Sequence, residues 1–130
     1  MKDLIIIGAG PAGLSAAIYG KRAGLDLTVL EKFAPGGQVM NTYEVENYPG
    51  FMDPVTGFQL MQSMEAQALR LGANIESADI ASVEKRDDGI FVLKGTGGEL
   101  FEARTVIFAM GSSYRMLGIP GEKEFTGMGV

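Results

Sequence analysis

Four branched apolar residues in unbroken succession, Leu4-Ile5-Ile6-Ile7, open the hydrophobic pattern of the chain. A run without polar alternation suits a strand buried on both faces of a parallel sheet. Leu14, Ala17 and Ile18, with small Ala12, Ser15 and Ala16 around them, predict a helix entered at Pro11 and ended near Gly24. Leu25 to Leu30 reads as a second strand through Leu27, Val29 and Leu30. Further on, Phe58, Met61, Met64, Ala68 and Leu71 recur on one face and predict a helix that starts around Asp53, Pro54 and Thr56 and stops at Gly72. Its methionines read as core fillers. Ala73 to Ser77 is a short strand. Three runs follow, Asp79 to Lys85, Ile90 to Lys94 and Leu100 to Ala103, divided by the turn signals Asp87-Asp88-Gly89 and Gly95-Thr96-Gly97-Gly98. They predict a three-stranded antiparallel meander, with Lys85 to Asp88 as a solvated turn. Thr105 to Ala109 is a second buried-strand run, closing on Met110-Gly111-Ser112-Ser113.

Between the first strand and helix lie Gly8-Ala9-Gly10-Pro11-Ala12-Gly13, and Glu31 closes the second strand. Each glycine has a separate duty: Gly8 for the tight turn, Gly10 for backbone approach to a pyrophosphate, Gly13 for close packing of helix on sheet. Pro11 suits the first helical turn, where its missing N–H is no loss. Glu31 stands about 20 residues beyond the glycines, the spacing at which a carboxylate reaches ribose hydroxyls and disfavours a 2′-phosphate. Three glycines at this spacing alone carry little weight. With strand, helix, second strand and acid in order, they define a dinucleotide-binding βαβ unit. Lys32 to Val55 has little periodicity, and loops longer than about 12–15 residues are uncommon in compact domains unless functional or disordered. Its Phe33, Val39, Met40, Tyr43, Val45, Tyr48 and Phe51 argue against disorder and for a segment lying along a ligand.

Composition narrows the chemistry. The 130 residues, 46% hydrophobic, suffice for one domain with a single core. The net charge is −5 and the eleven Lys and Arg are scattered, which gives no footprint for nucleic acid and fits an acidic soluble protein. No stretch reads as a membrane span, and a signal peptide is disfavoured by Asp3 and by the glycines that interrupt the first apolar segment. There is no Cys and no His, so thiol redox, imidazole bases and the commonest zinc ligands are absent from these residues, and no metal site is expected. Chemistry must come from a cofactor or from other residues.

Five segments together, Gly8-Ala9-Gly10-Pro11-Ala12-Gly13-Leu14, Glu31, Gly36-Gly37-Gln38, Glu44-Val45-Glu46-Asn47-Tyr48-Pro49-Gly50 and Leu117-Gly118-Ile119-Pro120-Gly121-Glu122, resemble the N-terminal part of bacterial thioredoxin reductases, two-domain FAD and NADPH pyridine-nucleotide disulfide oxidoreductases. The resemblance runs from Met1 to Val130. It implies an α/β fold: a Rossmann-like FAD-binding domain with a parallel sheet and an antiparallel meander. It further implies FAD on the first nucleotide site, with Gly8, Gly10, Pro11, Ala12 and Gly13 at the pyrophosphate and Glu31 and Lys32 at the adenosine ribose. Gly36, Gly37 and Gln38 would run beside the ribityl and flavin, Asn47 near the isoalloxazine, and Ile80 would meet the adenine through its backbone. Turn or cap duty is the plainer role for Gln38 and Asn47.

Ala109-Met110-Gly111 stands where the family usually has Ala-Thr-Gly, which removes a hydroxyl while leaving backbone contacts to the cofactor. In the family, a motif like Gly127-Met128-Gly129-Val130 is soon followed by a Cys-x-x-Cys dithiol on the NADPH domain and a return segment that completes the FAD domain; neither occurs in these residues. Residues 1–112 are therefore expected to be a partial FAD domain and 113–130 the crossover towards an NADPH domain absent from the chain. In the complete enzyme implied, electrons pass from NADPH through FAD and a dithiol to thioredoxin or a related disulfide protein, in a cytoplasmic homodimer. The fragment alone is expected to show no reductase turnover and no catalytic side chain of its own. Two other readings stay open: a ferredoxin or flavodoxin NADP reductase of the same architecture, which needs no dithiol, and a non-catalytic nucleotide-binding module.

Overall fold

A computed structural model describes residues 1–113 and 115–128. In chain order the elements are β1 (Lys2–Ile7), α1 (Pro11–Arg22), β2 (Leu27–Glu31), a 3-10 turn (Gly37–Asn41), α2 (Gly57–Arg70), β3 (Asn74–Ser77), β4 (Ile80–Lys85), β5 (Phe91–Gly95), β6 (Leu100–Phe108) and a single helical turn, α3 (Glu122–Phe125). One six-stranded sheet runs β3-β2-β1-β6-β5-β4. The pairs β3–β2, β2–β1 and β1–β6 are parallel, whereas β6–β5 and β5–β4 are antiparallel. The mixed α/β architecture expected from the pattern is present.

Alternation along β1 feeds two separate cores. Leu4 and Ile6, with Leu27 and Val29, meet Leu14, Ala17 and Ile18 of α1 and Leu60, Met61, Met64 and Ala68 of α2. Ile5, Ile7 and Leu30 face the other way, towards Ala78, Leu93 and Ala103. The first strand is thus buried on both faces, as its unbroken apolar run requires. Met61 and Met64 are core residues, at 1% and 6% exposure, but the buried face of α2 includes Leu60 and leaves Phe58 half exposed. Thr28 is buried beside Ile5 in register, and its hydroxyl has no hydrogen-bond partner among the described residues. The two helices begin differently. α2 closes its own N-terminus with a capping box, in which Thr56 Oγ1 accepts from the Gln59 N–H at 3.1 Å and Gln59 Oε1 accepts from the Thr56 N–H at 3.3 Å. α1 has Gly10 at its N-cap and no capping side chain.

Three expectations change. The third meander run and the final apolar run are one nine-residue strand, β6, which pairs β5 through Leu100–Ala103 and β1 through Ala103–Phe108. The apolar end of β6 is not buried: α1 packs over β1 and β2, which leaves Ile107 exposed, while Phe108 ends the strand in the open at 57%. The loop 32–55 is also less irregular than its pattern, since it contains the 3-10 turn and a Val45–Val55 bridge. No described helix is long and apolar enough to cross a membrane. Of the Gly127-Met128-Gly129-Val130 motif, Gly129 and Val130 lie outside the described residues, as does Tyr114 in the expected crossover.

Candidate functional site

At the C-terminal end of β1 the chain turns through Gly8, whose φ is +102°. A side chain on Gly8 would strike the Ala109 carbonyl at the end of β6, and one on Gly13 would overlap the Gly8 carbonyl oxygen. Packing within the protein explains both glycines. Gly10 differs: its φ is −75°, and a Cβ there would come no closer than 3.9 Å to any atom, the Gly37 Cα. Nothing among the described residues requires glycine at position 10. A Cβ would instead occupy space above the open end of α1, where the N–H groups of Ala12 and Gly13 have no capping side chain. Backbone N–H groups and the positive end of the helix dipole make this end a receptor for an anion.

That end opens into a cavity of about 680 Å³. Gly8, Gly10, Pro11 and Ala12 form one side, Glu31, Gly37 and Gln38 a second, and Ala109, Met110 and Gly111 a third. Among the described residues no Lys or Arg lines it, so a bound phosphate would be met by backbone N–H groups and dipole. Glu31 does more than face the cavity. Its Oε2 accepts from the Ala9 N–H at 2.7 Å and its Oε1 from the Phe33 N–H at 3.0 Å, which ties the glycine turn to the start of the following loop. A carboxylate offers about four lone-pair directions, so two remain for hydroxyl donors. Gly36 lies behind the wall rather than in it: its N–H donates to the Ala9 carbonyl at 2.8 Å. The Gln38 side-chain amide donates to the Ser112 carbonyl and so links the 3-10 turn to the chain leaving β6.

Two smaller spaces adjoin. A cavity of about 230 Å³ shares Gly8, Glu31, Phe33 and Met110 with the first and is otherwise bounded by residues including Lys32, Asp79 and Ile80. Asn47 is apart from the other predicted residues: it lines a space of about 560 Å³ with Glu44, Glu46 and Tyr48, which shares the lining residues Pro11 and Val39 with the main cavity. Gly13, packed beneath the turn, lines none of the three. Residues that the motifs did not single out also form walls, namely Phe33, Val39, Asn41, Phe108 and Ser112 in the main cavity and Asp79 in the smaller one. Phe33 and Val39 belong to the apolar content of the loop expected to lie along a ligand, whereas Phe108 reads as an ordinary buried-strand residue.

Sheet, open helix end and cleft together define a dinucleotide-binding α/β domain of the Rossmann class. A profile of the pyridine nucleotide-disulphide oxidoreductase family matches residues 2–130, and the chain belongs to that family. It is 45% identical over 128 residues to the thioredoxin reductase of Treponema pallidum (strain Nichols), covering 98% of this chain and 41% of that protein. It is 48% identical to the bifunctional thioredoxin reductase/thioredoxin of Mycobacterium leprae (strain TN), again over 98% of this chain but 28% of that protein. Among solved structures, Lactococcus lactis thioredoxin reductase in its FR conformation superposes with a TM-score of 0.89 at 34% identity, covering 98% of this chain and 41% of that one. The chain therefore spans about two fifths or less of the length of these relatives. The resemblance read from its five motifs is borne out.

Proposed function

We propose that the chain is the FAD-binding part of a thioredoxin-disulfide reductase. Residues 1–112 form part of the flavin domain, and residues 113–130 lead towards an NADPH-binding domain. The observation that carries this reading is Gly10, a glycine that no contact among the described residues demands, set over an uncapped helix end that opens into the cleft. The residues fit the cofactor. Gly8, Gly10, Pro11, Ala12 and Gly13 shape the phosphate turn, and the N–H groups of Ala12 and Gly13 point their charge at it. Glu31 accepts from the ribose hydroxyls while it holds Ala9 and Phe33, and Lys32 flanks the adenosine. Gly36 fixes the loop through Ala9 so that Gly37 and Gln38 can run beside the ribityl chain. Ala109, Met110 and Gly111 close the opposite wall, and Ile80 receives the adenine. Asn47, in the adjoining space, is assigned to the flavin ring by the family resemblance.

Bound FAD supplies the two-electron carrier that connects NADPH to a dithiol and then to thioredoxin or a related disulfide protein. This chain contributes position and electrostatics, having no Cys of its own. The M. leprae relative, whose name joins reductase and thioredoxin, supports thioredoxin as the partner. A cytoplasmic homodimer follows from the family resemblance and belongs to the same reading. Titration of the purified chain with FAD, followed by flavin fluorescence, tests the site: saturable binding is expected, weakened roughly tenfold or more in Gly10→Ala because charge-assisted hydrogen bonds to phosphate are lost. Equal binding by Gly10→Ala, or none by either protein, would overturn the assignment. NADPH-dependent disulfide reduction is expected to be absent from the 130-residue chain assayed with FAD present.

A further inference from the structure

Phe33 is 81% exposed although its backbone N–H is bonded to the Glu31 carboxylate at the end of β2. Tyr43 and Met52 are as exposed, but they line none of the three spaces, whereas Phe33 borders both the main cavity and the 230 Å³ one. Its backbone is fixed by the Glu31 carboxylate at 3.0 Å. Its ring is approached by the Lys32 ammonium, 5.2 Å from the centroid, and that ammonium is held in turn by Asp79 Oδ2 at 3.1 Å. Lys32, Asp79 and Phe33 thus make a braced side wall between the end of β2 and the start of β4. Ile7, Leu30, Ala78 and Ile80 supply apolar surface to the same space. Its volume is below the roughly 300–1,000 Å³ typical of drug-sized ligands, which suits one heterocycle rather than a whole dinucleotide.

We propose that Phe33 is the base-stacking surface of the adenosine end of the site, held in place by the Lys32–Asp79 ion pair. This rests on the assignment of the cleft to FAD and adds to it a residue that sets retention and preference for the adenine base. An aromatic face left open to solvent and braced on its other side loses little freedom when a base covers it. Base–aromatic stacking is an established source of affinity for nucleotides.

ADP, which carries the adenosine and pyrophosphate without the flavin, is the probe. In the wild-type chain the adenine H2 and H8 resonances are expected to move upfield as ADP binds, the ring-current signature of a base over a phenyl face. Phe33→Ala is expected to weaken ADP about tenfold and to abolish the upfield shift. Phe33→Leu keeps an apolar side chain and should also lose the shift, while Phe33→Trp should restore both shift and affinity. Asp79→Asn, which frees Lys32, is expected to cost about two- to fivefold. ADP binding that is as tight in Phe33→Ala as in wild type, or that gives no upfield shift in wild type, would overturn the stacking role while leaving the FAD assignment standing. A wild-type chain that binds neither ADP nor FAD would overturn both.

Discussion

Gly10 and Gly13 sit three residues apart in one motif, yet packing constrains only the second. Gly13 is pressed against the Gly8 carbonyl, whereas Gly10 has room for a methyl group. Gly13→Ala is expected to destabilise the fold by about 1–3 kcal/mol through overpacking, while Gly10→Ala should leave the urea midpoint nearly unchanged. Equal destabilisation by the two would show that Gly10 is needed by the fold. Thr28 offers the reverse case. Its buried hydroxyl is unpaired among the described residues, and an unsatisfied buried polar group costs about 1–3 kcal/mol. Thr28→Val should therefore raise the urea midpoint; a fall would mean that the hydroxyl is satisfied. The turn at Gly8 and the packing role of Gly13 were legible because spacing and neighbouring elements define them. The exposure of Phe33 was not, because a phenylalanine after a strand reads equally as core or surface until its surroundings are placed.

Among the elements, α1 and α2 were legible from apolar spacing, and the Thr56 cap coincides with the expected start of α2. β6 was not. Its first part alternates, with Glu102 and Arg104 on the solvent side of Ala103, while its second part is unbroken apolar sequence. The period changes within a single strand because its partners change, from antiparallel β5 to parallel β1. Two patterns therefore looked like two strands. The β4–β5 turn was read as solvated, and it is, but its charges are organised. Arg86 Nη2 meets Asp88 Oδ2 at 2.6 Å and Arg86 Nη1 reaches Glu102 Oε1 on β6 at 2.7 Å. The hydrogen bond from Arg86, helped by the Ile90 N–H, holds the Asp88 carboxyl below its ordinary value of 3.8. A depressed folded value favours the native state above the unfolded one, and that contribution is lost as pH falls from 3.8 through the folded value. Side-chain carboxyl titration by NMR should place Asp88 below 3.8 in the wild type and return it towards 3.8 in Arg86→Ala.

At the scale of the whole molecule, the two cores lie on opposite faces of one sheet and share β1 as their common wall. β6 joins the parallel layer to the antiparallel meander at Ala103, which is fully buried and pairs with both Lys2 of β1 and Phe91 of β5. If that junction makes the meander and the parallel layer one cooperative unit, Ala103→Leu should lower stability by about 1–3 kcal/mol while circular dichroism and tyrosine fluorescence still report coincident urea transitions. Separate transitions in wild type would show that the halves melt independently. The main cavity likewise gathers segments far apart in the chain: the glycine turn, the residues after β2 and the chain leaving β6. During synthesis the glycines emerge first and the Phe108–Ser112 wall about a hundred residues later, which at roughly 5–20 residues per second is a delay of seconds. A nascent chain holds the glycine turn throughout that interval but has neither the β6 partner of β1 nor the far wall of the cleft. The cleft therefore cannot take its full form before the end of β6 has emerged, and the order of synthesis makes that wall the last of the three to be hung, like a door on a finished frame.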